Sequence, residues 1–181
     1  MTAINKGFIR RALVVTILVL INLGCDQVTK AAARNSLQDR GIVSVLGGFF
    51  VLVYTENEGA FLGLGSKWPE PLRRTLFTFG PAALVLLMLG YVLIYRNLTL
   101  FQIVALACII GGGLSNVVDR ILYQGRVTDF MNLGLGSLRT GVFNAADLSV
   151  LLGSALLLIS SLFGGSSDKK QDEESVSESD P

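Results

Sequence analysis

Residues 75–120 read TLFTFGPAALVLLMLGYVLIYRNLTLFQIVALACIIGGGLSNVVDR, two long apolar runs parted by Arg96 and Asn97 alone. About 20 mostly apolar residues suffice to cross a bilayer as a helix. Two such runs with a two-residue break are therefore a tight hairpin of membrane helices. Two more runs of the same kind lie on either side. The predicted spans are Ala12–Ala33, Thr75–Tyr95, Leu98–Val118 and Val142–Phe163. In lipid every backbone polar group needs an internal partner, so these spans must be helices. The expected fold is an all-α membrane protein, a four-transmembrane-helix bundle with a small β-rich appendage.

Composition agrees. The 181-residue chain is 51% hydrophobic and only 16% charged, against roughly 25% charged in an ordinary soluble domain. Its net charge of +1 provides no field to attract nucleic acid. The chain has no histidine. That excludes His-based zinc sites, Ser-His-Asp triads and Cys-His dyads together. Cys25 and Cys108 both lie in apolar segments and read as small buried side chains.

The remainder is organised around the spans. Asn35–Arg74 is a long mixed segment in which Phe49–Thr55 (FFVLVYT) reads as a strand. Ile121–Gly141 reads as a shorter glycine-rich loop. Residues 1–165 are expected to form one membrane domain. Ser166–Pro181 carries six acids and no apolar periodicity, and is expected to be a disordered acidic cytoplasmic tail. Lys6, Arg10, Arg11, Arg96, Lys169 and Lys170 fall on one side of a four-span chain, but the other nine of the fifteen Lys and Arg do not. The short flank and the two-residue hairpin weigh most, because the positive-inside rule works best over short segments. Both termini are then cytoplasmic. Met1–Cys25 mimics a lipoprotein signal ending in a lipid-accepting cysteine. Asn22 and the three spans that follow argue against cleavage there.

Charged groups at membrane depth cost roughly 2.5–3.5 kcal/mol or more each, so those retained need a reason. Asp26 and Lys30 are four apart on one helical face, which suits a structural ion pair better than a direct catalytic role. Asn116, Asp119 and Arg120 end the third span, as an anchoring cluster or as a polar platform for a peptide or lipid head group. Asn144 and Asp147 open the fourth span, and Asp129 stands in VTDF. Either aspartate alone would pass for a helix cap. Asn57 and Gly59, with Ala60, lie in NEGAF, which alone reads as a turn. Without histidine, a pair of aspartates sharing a proton is the simplest scheme left, one acting as base on water while the other polarises a carbonyl. Sequence spacing permits Asp129 and Asp147 to meet but does not demonstrate it. No metal or cofactor is called for.

Taken together, CDQVTK (25–30), NEGAF (57–61), GGGLSNVVDR (111–120), VTDF (127–130) and FNAAD (143–147) resemble the lipoprotein signal peptidase (signal peptidase II) family, over roughly residues 10 to 163. The resemblance implies an aspartic endopeptidase of the bacterial inner membrane. It would cleave prolipoproteins on the amino side of the diacylglyceryl-modified cysteine. Asp129 and Asp147 would be the catalytic dyad. Asn57, Gly59, Asn116, Arg120 and Asn144 would bind substrate or shape the site, and Asp26, Lys30 and Asp119 would support it. The active site would face the periplasm, the outer segment would be a periplasmic β-rich cradle, and the partners would be prolipoproteins and membrane lipids. A monomer is expected. Three positions depart from the family pattern: Ser115 replaces a usual glycine, the NEGAF phenylalanine comes one residue early, and Glu58 is an unusual charge. A small proton-coupled transporter is the reading from another class, because buried acids also mark ion paths. The charges cluster at one end of the spans, which disfavours a through-path. A lipoprotein-binding relative without activity is the third reading, and the intact aspartates speak against it.

Overall fold

The computed structural model describes residues 6–59, 65 and 68–177, with side chains beyond Lys6 and up to Phe163. Ala60 and Phe61 of the NEGAF motif lie outside the described residues. Four helices are long and apolar enough to cross a membrane. These are α1 (Lys6–Leu37), α2 (Glu70–Ile94), α3 (Leu100–Leu122) and α4 (Ala145–Ser177). Between α1 and α2 lie β1 (Val43–Val45) and β2 (Phe50–Asn57), and between α3 and α4 lie β3 (Val127–Leu135) and β4 (Leu138–Arg139); the four make one antiparallel sheet in that order. An up-down-up-down bundle puts the end of α1, the start of α2, the end of α3 and the start of α4 on one side. The sheet therefore sits wholly at that side. At the opposite side the Arg11 guanidinium donates to the carbonyls of Tyr95 and Arg96, 2.9 Å in the latter case.

Local sequence sets the helix ends. Thr99 and Gln102 form a reciprocal capping box at the start of α3. Pro71 lies in the first turn of α2, where its missing N–H costs nothing. Helix α3 is the centre of the bundle: 50% of its apolar window is buried, against 6%, 17% and 11% for the other three. The glycine run explains how one helix serves three neighbours. A Cβ on Gly111 would meet Asn22 Cβ of α1 at 2.7 Å, one on Gly112 would meet the Ala146 carbonyl of α4 at 2.4 Å, and one on Gly113 would meet Val85 of α2 at 2.9 Å. Successive residues turn about 100° around a helix axis, so three consecutive glycines open three faces. Val15 and Val19 of α1, Val85 and Val92 of α2, and Ile103, Leu106 and Ile110 of α3 fill the core between them. Leu86, Leu87, Leu151 and Leu158 remain more than half exposed, as suits side chains solvated by lipid.

Two expectations are corrected. Ile121–Gly141 is no plain loop: it holds β3 and β4. Strand β3 is buried on both faces over Val127–Phe130, so it lacks the polar-apolar alternation that would betray it. Val142 and Phe143 do not begin the fourth helix. Phe143 instead pairs with Met131 as extended backbone, and Asn144 starts the helix by capping it. Helix α4 runs on past Phe163 to Ser177. A long span supplies the nucleus that an isolated polar segment lacks, so further turns cost little. The strand expected at Phe49–Thr55 is β2.

The glycine contacts give a paired expectation. Gly112→Ala drives a methyl into the backbone of α4 and destabilises the protein by about 1–3 kcal/mol. Gly24→Ala, which has nothing within 4 Å, leaves it as stable or raises its stability by up to about 1 kcal/mol. Melting in detergent followed by circular dichroism compares the two, and equal melting temperatures would contradict the close approach of α3 to α4.

Candidate active site

Strands β2 and β3 bring the first aspartate to an asparagine. Thr55 lies directly opposite Asp129. Two residues on, Asn57 emerges on the same face of the sheet. Its Nδ2 donates to Asp129 Oδ2 at 3.0 Å. The other end of that amide is committed, since Asn57 Oδ1 accepts the Gly59 N–H at 3.0 Å. An Asx turn thus fixes which end of the amide faces the carboxylate.

The second aspartate is held by the start of α4. Asn144 Oδ1 accepts the Asp147 N–H at 3.0 Å, and the Asn144 N–H donates to Asp147 Oδ2 at 3.0 Å. This reciprocal pair has the form of a capping box. Asn144 then links the two aspartates, because its Nδ2 donates to Asp129 Oδ1 at 2.6 Å. Asn116 completes the link from α3. Its Nδ2 donates to Asp147 Oδ1 at 2.9 Å, and its Oδ1 accepts from Asn144 Nδ2 at 3.1 Å. The seventeen residues of chain between the aspartates fold back by strand pairing, Phe143 lying beside Met131.

Beneath the asparagines lies a buried ion cluster. Lys30 is fully buried, and its ammonium donates to Asp26 at 2.7 Å, Asp119 at 3.1 Å and Asn116 Oδ1 at 2.8 Å. A buried charge is tolerated only when paired and fully hydrogen-bonded. Each carboxylate has further donors. Asp26 accepts from Ser115 Oγ at 2.6 Å and from the Ala146 N–H at 2.7 Å, so a side chain of α1 caps the first turn of α4. Asp119 accepts from Gln27 Nε2 at 2.8 Å and from the Thr128 N–H at 3.0 Å. Lys30 also determines the Asn116 amide: with Oδ1 taken by an ammonium, only Nδ2 can face Asp147.

Among the described residues, those singled out in the sequence for the site gather at this end of the bundle, in two layers. Asn57, Asn116, Arg120, Asp129 and Asp147 line one cavity of about 310 Å³. Arg120 reaches the Gly59 carbonyl at 3.3 Å. Asn144 is fully buried behind them, and Asp26, Lys30 and Asp119 form the layer below. Sequence reasoning missed Gln27, Thr128 and Arg34, whose guanidinium donates to Thr128 Oγ1 at 2.6 Å and stacks over Tyr123. Their positions inside or beside the motifs were the available signal. Ser115 stood out only as a departure, and it proves to be a buried donor to Asp26. The opposite cavity wall is apolar, formed by Leu133, Val142, Leu148 and Leu151. Among the described residues no cluster of acids or cysteines is arranged to hold a metal ion.

The electrostatics of the pair are unequal to those of a surface carboxylate. Burial first, and the neighbouring Asp147 charge second, push the Asp129 carboxyl up to about 7, against the opposing pull of the Asn57 and Asn144 amides. Neutral amide donors steady a carboxylate without forcing it to ionise, as an adjacent cation would.

Four membrane-length helices with two hydrogen-bonded aspartates around a cavity at one end define a multi-pass membrane protein built for chemistry at its boundary. The profile of the family described as Signal peptidase (SPase) II matches residues 17–163. The lipoprotein signal peptidase of Maridesulfovibrio salexigens is 33% identical over 160 residues, covering 86% of this chain and 96% of the relative. That of Paraburkholderia phymatum is 37% identical over 141 residues, 76% of this chain and 80% of the relative. A solved bacterial membrane enzyme superposes with a TM-score of 0.74 at 25% identity, over 86% of this chain and 91% of that one. The chain belongs to the signal peptidase II family and is a membrane peptidase.

The raised Asp129 carboxyl makes stability depend on pH. Its folded-state value of about 7 exceeds the 3.8 of an unperturbed aspartate. Ionising it in the fold therefore costs stability, and that cost sets in as pH rises from about 4 through about 7. Asp129→Asn removes the titration. The melting temperature of the wild type falls relative to that of D129N between about pH 5 and pH 8. A difference that is constant over this range would contradict the buried, raised carboxyl.

Proposed function

We propose that this protein is an aspartic endopeptidase that removes signal peptides from prolipoproteins, cutting on the amino side of the diacylglyceryl-modified cysteine. The catalytic pair is Asp129 and Asp147. The single observation that carries this reading is that Asn144 and Asn116 tie the two carboxylates into one hydrogen-bonded set facing one cavity. In that set one proton serves two carboxyls. The ionised carboxylate takes a proton from water, whose oxygen bonds to the scissile carbonyl carbon. The protonated carboxyl donates to the carbonyl oxygen, and the amide nitrogen leaves carrying a proton from the pair. Asp129, with its carboxyl pushed up near 7, is suited to hold the proton.

The cavity walls fit a lipidated peptide. Asn57, Gly59, Asn116, Arg120 and Asn144 shape the polar side and orient the peptide. Arg120 Nε is buried without an acceptor among the described residues, which leaves it for a substrate carbonyl. Leu148 and Leu151 carry the apolar wall outward to the lipid-facing side of α4, where Leu151 is 65% exposed, and acyl chains can follow. Asp26, Lys30 and Asp119 support the site from below. Arg10, Arg11 and Arg96 gather at the other end, which supports cytoplasmic termini and a site on the periplasmic side of the inner membrane. Residues 1–165 act as one peptidase domain, with the acidic residues 166–181 as a cytoplasmic extension. We read the protein as a monomer.

Two measurements on purified protein with a diacylglyceryl-modified prolipoprotein test this. Asp129→Asn and Asp147→Asn each lower cleavage by at least about 10³-fold while the protein still inserts and melts cooperatively; retained cleavage by either removes that residue from the pair. In wild type, kcat/KM falls on the alkaline side with an apparent pKa near 7, because Asp129 loses the shared proton there. A rate that holds level from about pH 6 to pH 9 would exclude Asp129 as the proton donor.

A further inference from the structure

Glu58 is the unusual charge in NEGAF, and the reaction above gives it no part. Its neighbours in the chain are the two residues that do touch the site: Asn57, on Asp129, and Gly59, whose carbonyl receives Arg120. Glu58 is held from two sides. Its Oε2 accepts from Arg73 of α2 at 2.5 Å, and its Oε1 lies 3.5 Å from Arg126 Nε. Arg126 immediately precedes β3, the strand that carries Asp129, and it also pairs with Glu56 at 2.6 Å. The next residue of α2 reinforces the same contact. Arg74 lies across Gly125, where an added Cβ would meet its Cγ at 2.7 Å. The start of α2 thus grips both chain segments that flank the cavity, residues 56–59 and residues 125–126.

We infer that Glu58 is a positioning residue. Its carboxylate ties the 56–59 segment to α2 and to β3, and so keeps the Asn57 amide on Asp129. This inference rests on the reading of Asp129 as a catalytic group. A lone exposed ion pair contributes little, about 0–1 kcal/mol. Here one carboxylate is shared between two guanidiniums from two elements, and Arg73 is only 13% exposed. Glu58 at 51% and Arg126 at 43% are open to solvent. The clasp is therefore exposed to salt in a way that the buried Lys30 cluster is not. The Debye length shrinks from about 10 Å at 0.1 M to about 3 Å at 1 M, so added salt loosens the clasp.

The test is steady-state cleavage of a diacylglyceryl-modified prolipoprotein by wild type, E58Q, R73Q and the double variant, from about 0.05 M to about 0.5 M sodium chloride in one detergent. At low salt E58Q lowers kcat about fivefold with KM changed less than about twofold, the size of one or two partly exposed pairs. R73Q does the same, and the double variant is no slower than the slower single, because both break one clasp. Wild-type kcat falls severalfold with salt and converges on E58Q, whose own kcat is nearly flat. Melting temperatures, which a purely structural role would move, stay close to wild type. If wild type cleaves but E58Q matches it, if KM alone shifts, or if the two single effects add, Glu58 does not position the site and the proposed function stands. If wild type cleaves at no salt concentration, the proposed function falls and this inference falls with it.

Discussion

The rest of the molecule depends on one buried ammonium. Lys30 has no access to water, and its three protons go to Asp26, Asp119 and Asn116. In a low-dielectric surround, an unpaired charge of this kind would be untenable. The requirement to satisfy it draws α1 and α3 together. It also leaves Asp26 with an oxygen that caps α4 at Ala146. Three helices are therefore registered against one another by one set of charged hydrogen bonds. The glycines at 111 and 112 permit that approach and the ion cluster holds it.

The layer above translates charge into orientation. An asparagine amide has one accepting and one donating end, so fixing the first aims the second. Lys30 fixes Asn116, the Gly59 N–H fixes Asn57, and the Asp147 N–H fixes Asn144. Each amide then points a donor at Asp129 or Asp147. The side chains hydrogen-bonded to the two aspartates are thus neutral amides, with the Lys30 ammonium one layer removed and Arg120 elsewhere in the cavity wall. That arrangement holds two carboxylates in place while leaving room for a proton between them, which a lysine in direct contact would discourage.

Much of this was legible beforehand, and the misses share a cause. The four spans came from length and hydropathy, and the Asp26–Lys30 pair from its spacing of four. Strand β3 was missed because a strand buried on both faces carries no period of two. Val142 and Phe143 were assigned to a helix because an apolar run is silent about backbone conformation, which here is set by pairing with Met131. Gln27, Thr128 and Arg34 escaped notice because their partners are remote in sequence and polar residues beside a motif have no periodicity to mark them.

By itself the sequence determined that this chain crosses a membrane four times, that histidine chemistry is unavailable, and which aspartates and asparagines stand at the span ends. These follow from local quantities: apolar length, residue type and spacing along one helix. Only the tertiary structure decided that Asp129 and Asp147 share a hydrogen-bonded set, which end of each asparagine faces them, and that Glu58 is gripped by α2. Those depend on contacts between residues tens of positions apart, such as Lys30 with Asn116 and Asn57 with Asp129. Such contacts exist only when the helices have closed on α3, and no local pattern encodes a partner that distant.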